Sequence, residues 1–176
     1  MKDKNKGKVK EANLFADFVV DLAQAQKEVN GMMLIEHPED LGRAPRGDPG
    51  SIWRWPRVRA LVSGAWRTGA LHQASWGSSF AKPTRFIFYL PGFEESVRLG
   101  WPVFGDGLVY KGPLDRCSAT ALLKGRSDGN FITKQAEGWP KDLCEHLADL
   151  VWKNFENLKA EAPAVGVEEV SEEDGG

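Results

Sequence analysis

Cysteine is nearly missing from this chain: Cys117 and Cys144 are the only two among 176 residues. Two scattered thiols cannot build a disulfide framework. Long apolar runs are missing too. No stretch approaches the roughly 18 residues a membrane span needs, and the lysine-rich start, Met1 to Lys10, leads into no apolar stretch of the secretory kind. A reduced, intracellular protein of nucleus or cytoplasm, away from the membrane, is therefore expected. Net charge is also slight, −2 with a pI of 6.0. Whole-molecule charge gives no reason to expect nucleic acid or a membrane surface.

What is present suits one globular domain. Hydrophobic residues make up 41% and charged residues 27%, an ordinary soluble balance. Charge is distributed unevenly. Lys2, Lys4, Lys6, Lys8 and Lys10 form a basic start, and Glu168, Glu169, Glu172, Glu173 and Asp174 an acidic end. Neither offers apolar groups to bury, so residues 1–10 and 159–176 are expected as disordered tails around one domain at 11–158. Between them, Arg43, Arg46, Arg54, Arg57, Arg59, Arg67, Lys82 and Arg85 stand against the single acid Asp48. Trp53, Trp55, Trp66 and Trp76 share that stretch. Arginine interleaved with tryptophan can pair phosphates and stack bases, and it equally describes a solvated basic face over an aromatic core.

Periodicity predicts an α/β order. Leu14, Phe15, Phe18, Val19, Leu22 and Val29 recur at helical spacing, so residues 11–29 read as a helix with that apolar face. Asn30-Gly31 stops it. Met32 to Ile35 is a continuous apolar run, expected as a strand over 32–36 that is buried on both faces and of the parallel type. Helix, tight turn and buried strand make half of a βαβ unit. A second helix is expected over 52–62, capped by Ser51, with Pro56 near its first turn. Aromatic and β-branched runs at 68–74 and 84–90 are too close for a helical crossover and predict an antiparallel pair. Glycine and proline then recur without periodicity from Pro91 to Glu137. The last helix is expected over 140–158, with Leu143, Leu147, Leu150, Val151 and Phe155 as its apolar face.

Several chemistries find no support. Glu36 and His37 are adjacent on a strand and point to opposite faces, and His72 and His146 add no ligand spacing, so no metal site is expected. No serine lies in a Gly-x-Ser-x-Gly elbow. Gly105 and Gly107 precede no helix pattern and make a turn, not a phosphate loop. Cys144 falls inside the last helix as a small side chain.

Glu36-His37-Pro38, closing the strand at Ile35, resembles the cytosine-C5 DNA methyltransferase motif in which a strand ends in Glu-Asn-Val or Glu-Asn-Pro. The resemblance continues in order. His72 to Gly77 stands where that family has a strand ending near an aromatic-Gly pair. Lys82-Pro83-Thr84-Arg85 stands at its basic Gln-x-Arg-x-Arg motif, and Phe86-Ile87-Phe88 at the strand after it. The likeness covers about residues 11 to 92 and is greatest to divergent, retroelement-associated members.

The resemblance implies the C-terminal part of a Rossmann-like methyltransferase sheet, in which Glu36 holds the edge of a flipped cytosine. Lys82 or Arg85 would steady glutamate and base. The family's S-adenosylmethionine loop and Pro-Cys nucleophile belong upstream of Glu11 and are not among these residues; neither cysteine follows a proline. Methylation by the chain alone is thus not expected, and a second chain supplying the missing half of the sheet is an expected partner. The alternative is a module that binds DNA or RNA without chemistry through residues 43–85, Arg54, Arg57 and Arg59 above all, or a degenerate mobile-element product without activity.

Overall fold

A computed structural model describes residues 3–43, 50–118, 126–127, 130–131 and 138–161. Helix α1 (Asp3–Glu28) leads through Asn30-Gly31 into strand β1 (Met33–Pro38). A 3-10 turn (Ile52–Arg54) and the short α2 (Pro56–Ala60) connect to β2 (Arg67–His72), which reaches β3 (Pro83–Tyr89) through a second 3-10 turn (Gln73–Trp76). The short strands β4 (Arg98–Leu99), β5 (Val103–Phe104), β6 (Tyr110–Gly112), β7 (Arg126–Ser127) and β8 (Asn130–Phe131) precede helix α3 (Lys141–Glu161).

The main sheet has the order β1-β3-β2-β4, and β3 runs antiparallel to both neighbours. The expected antiparallel pair is therefore present, as β2 and β3. The expected parallel-type strand pairs differently: β1 lies at an edge, antiparallel to β3, and most of its residues are only half-buried. Because β3 opposes both, β1 and β2 point the same way, and their C-terminal ends emerge at one edge of the sheet. Both faces of β3 are covered. Phe86 and Phe88 alternate onto the α3 side with Leu71, Phe93 and Leu143, while Ile87 meets Val20, Ile35, Trp53 and Leu61 on the side of α1 and α2. Strand alternation sorts the chain into these two cores.

Four expectations need correction. The lysine-rich start is helical from Asp3, because lysine sustains a helix well once the amphipathic segment after it has nucleated one. The helix expected over 52–62 is broken at Trp55. That residue precedes Pro56 and is held extended (φ −75°, ψ 130°), so Pro56 opens α2 at its first position. The buried face of α1 is also turned from the expected one. Val20 and Ala23 meet the sheet, whereas Leu14, Phe15, Phe18, Leu22 and Val29 are exposed. Small side chains let the helix sit close to the strands. On α3, Leu143 is fully buried and Leu147 and Leu150 pack beside it, but Val151 and Phe155 are exposed. The acidic segment from residue 162 onward lies outside the described residues, as do Arg46 and Asp48.

Candidate functional site

The C-terminal ends of β1 and β2 and the start of β3 meet at one sheet edge. Pro38 stands opposite Thr84, His37 opposite Arg85 and Glu36 opposite Phe86. On the other side His72 is opposite Pro83 and Leu71 opposite Thr84. The Glu39 amide donates to the Pro83 carbonyl (3.0 Å), and the Gln73 amide to that of Lys82 (3.4 Å). The turn Gln73–Trp76 closes on Gly77 at φ 88°, a left-handed position where glycine carries no Cβ penalty, and the Trp76 ring lies 4.8 Å from that of His146 on α3. Three segments remote in sequence thus form one continuous rim.

Alternation divides the rim into two faces. Glu36 shares the α3 face with Leu34, Phe86 and Phe88, where Lys82 is its electrostatic partner. Burial pushes the Glu36 carboxyl above its ordinary 4.5 and Lys82 pulls it part of the way back. Lys82 takes an unusual positive φ of 35° and its Nζ donates to the Gly138 carbonyl at 3.2 Å. Beside them Gln73 is fully buried, giving its amide nitrogen to Thr84 Oγ1 (3.0 Å) and leaving Oε1 without a hydrogen-bond partner among the described residues. His37, on the opposite face, stands edge-on to Trp53 with ring centroids 5.8 Å apart, and burial lowers its pKa.

The two faces also separate the two basic residues expected to steady Glu36. Arg85 lies with His37 on the α1 side and is completely buried. Its Nε and Nη2 clasp the Glu39 carboxylate at 2.6 and 2.9 Å, and its Nη1 donates to Thr68 Oγ1 at 3.0 Å and to the Gly100 carbonyl. Tyr110 adds a hydrogen bond to Glu39, while burial and then that carboxylate push its hydroxyl up to about 12. Lys82, one step along the motif, is the basic side chain on the face of Glu36. Arg85 instead locks the loop after β1 to the sheet.

That loop carries a second clasp. Arg54 reaches Asp40 with Nε at 2.6 Å and Nη2 at 3.1 Å, and the Gly42 amide donates to the same carboxylate at 2.9 Å. Burial raises the Asp40 carboxyl, but Arg54 and the Gly42 amide outweigh it and hold the group below the ordinary range. Glu39 and Asp40, both buried, were not singled out by sequence reasoning. The available signal was two adjacent acids directly after Pro38, at the end of a strand.

The other expected contacts are engaged within the chain, at its surface. Arg57 pairs with Asp17 and Asp21 of α1, and the Arg59 guanidinium sits 4.5 Å over the Trp101 ring. Trp53 and Trp66 are core residues. The arginines at 54, 57 and 85 therefore belong to intramolecular ion pairs and do not form an uncompensated basic face. Among the described residues no group of three potential metal ligands occurs, and no helix is long and apolar enough to cross a membrane. Cys144 is exposed on α3 and Cys117 half-buried. No family model, curated protein or solved structure matches the chain.

Proposed function

We propose that this chain is the base-holding part of a cytosine-C5 methyltransferase-like protein, built on a partial Rossmann-like sheet. The observation that carries the reading is the meeting of Glu36, Lys82 and the Gln73–Gly77 turn at one rim. These are the three segments whose order in the chain resembles that family. The direction of the strands supports it as well: β1 and β2 run parallel, joined through α2, with β3 antiparallel between them.

Chemistry at the rim suits a pyrimidine edge. An ionised Glu36 accepts from an exocyclic amine, and a protonated one donates to a ring nitrogen. Burial favours the protonated form and Lys82 the ionised form. The thiolate and the S-adenosylmethionine loop would come from outside residues 1–176, on the same or another polypeptide. DNA is the expected polymer, with its target base flipped out of the stack.

A duplex with one cytosine opposite an abasic site tests this reading by fluorescence anisotropy. Binding should exceed that to the fully paired duplex and fall on Glu36→Gln and on Lys82→Met. Equal affinity for both duplexes would sink it. Weak, salt-steep binding that ignores Glu36 but drops on combined Arg54, Arg57 and Arg59 substitution would instead favour a non-catalytic nucleic-acid module.

A further inference from the structure

Strand β4 pairs only with Gly69 and Ala70 of β2, so beyond Ala70 the outer edge of β2 has no strand partner among the described residues. Beside that open stretch lies a cavity of about 400 Å³, bounded by the turn after β2, the start of β4 and the loop after β6. Its volume is in the range of small-molecule sites, and neither Glu36 nor Lys82 lines it. Two features of its wall call for a ligand. The first is His72, whose Nε2 lies 2.9 Å from the Asp115 carbonyl. A carbonyl only accepts, so Nε2 carries the hydrogen and, in the neutral ring, Nδ1 is a bare acceptor. That nitrogen is buried, and no donor meets it among the described residues, an arrangement that costs free energy until a donor arrives. The second feature is charge. Glu95, Arg98, Asp115 and Arg116 all line the cavity, two of each sign. None of the four makes an ion pair among the described residues, whereas Arg54, Arg57 and Arg85 are each held by an acid. Unpaired charges of both signs around one cavity complement a ligand that carries both.

We propose that this cavity binds a free α-amino acid with an aromatic side chain, as its zwitterion. Arg98 and Arg116 take the carboxylate, whose two oxygens match the planar fork of a guanidinium. The ammonium brings three N–H donors. One satisfies His72 Nδ1, and the carboxylates of Glu95 and Asp115 accept the others. Trp76 supplies an aromatic wall, its ring braced 4.8 Å from that of His146, and ring packing there favours an aromatic side chain on the ligand. A peptide end or a phosphate group carries charge of one sign only and would leave the opposite pair unmatched.

Two-dimensional NMR of the full chain with L-phenylalanine tests the site, with N-acetyl-L-phenylalanine and L-phenylalaninamide as analogues of a single charge. Phenylalanine at millimolar concentration should shift the amides of residues 70–76, 95–98 and 114–116 together. Each analogue should bind about ten-fold more weakly, the loss expected for one charge-assisted hydrogen bond. Arg98→Gln with Arg116→Gln should erase the advantage of phenylalanine over its amide. Glu95→Gln with Asp115→Asn should erase its advantage over the acetylated form. All four residues are exposed, so these variants keep the fold. An absence of shifts at millimolar phenylalanine overturns the proposal, as do analogues that bind as well as the parent. Preferences that survive both pairs of substitutions overturn it too. Glu36 and deoxycytidine play no part in these readouts, so they stand or fall separately from the cytosine reading.

Discussion

Replacing Arg85 with methionine should be among the most damaging single changes in the chain. Methionine keeps much of the side-chain length but none of the donors. Arg85 and Glu39 are both 0% exposed at their side chains, so the Glu39 carboxylate would remain buried with Tyr110 as its remaining side-chain donor. Thr68 Oγ1 and the Gly100 carbonyl would each lose a bond. Breaking a buried ion pair from one side costs about 3–5 kcal/mol. In a domain of this size each kcal/mol lowers Tm by about 2–4 °C, so the melt should fall by roughly 6–20 °C. Urea titration followed by tryptophan emission reads the same loss. The deficit should shrink in acid, where the stranded carboxyl takes up a proton, and the double variant Arg85→Met with Glu39→Leu should recover much of it. A single variant costing under about 1 kcal/mol, or a double variant losing more than the single, would refute this role for the pair.

Glu36→Gln should alter the pH dependence of stability more than its maximum. The folded-state pKa of Glu36 is raised by burial, so the folded protein binds that proton more tightly than the unfolded chain. Stability should therefore fall as pH rises through the window that opens at 4.5 and ends at the raised value. The glutamine variant should lack that slope; parallel profiles in urea melts at stepped pH would contradict the assignment. Arg54→Ala should cost about 1 kcal/mol, a modest loss because the guanidinium is 37% exposed and screened. The Asp40 contribution is present above the ordinary aspartate range and vanishes as pH falls through the lowered folded value, so wild type and variant should converge in acid. Gly42→Ala should cost about 1–3 kcal/mol in thermal melts, since φ is +86° there and an added Cβ would stand 2.3 Å from the Leu108 carbonyl.

The antiparallel pairing of β2 with β3 was legible because alternation, aromatic content and flanking turn residues all agree over a short span. The last helix was legible from its leucine spacing and Pro140. The edge placement of β1 was not. An apolar run such as Met32 to Ile35 fits a half-covered edge as well as a central strand, and only long-range pairing distinguishes them. The orientation of α1 was hidden for a related reason. It carries two apolar rows, and the sheet selects the one built on Val20 and Ala23, whose small side chains permit close approach. At the rim, the segments around Glu36 and Lys82 were visible as motifs. The partners of Arg54, Arg57 and Arg85 were not, because the acids that meet them come from elsewhere in the chain: Asp40, Asp17 with Asp21, and Glu39. A run of arginines in sequence looks like a basic surface until its counter-charges are known.

Two-dimensional NMR with deoxycytidine, and thymidine as control, tests the central claim most directly. The account predicts that deoxycytidine shifts the amides around Glu36, Gln73 and Lys82 together, that thymidine does so less, and that Glu36→Gln abolishes the difference. Shifts elsewhere, or an equal response to both nucleosides that survives the substitution, would contradict a base-holding role for this rim.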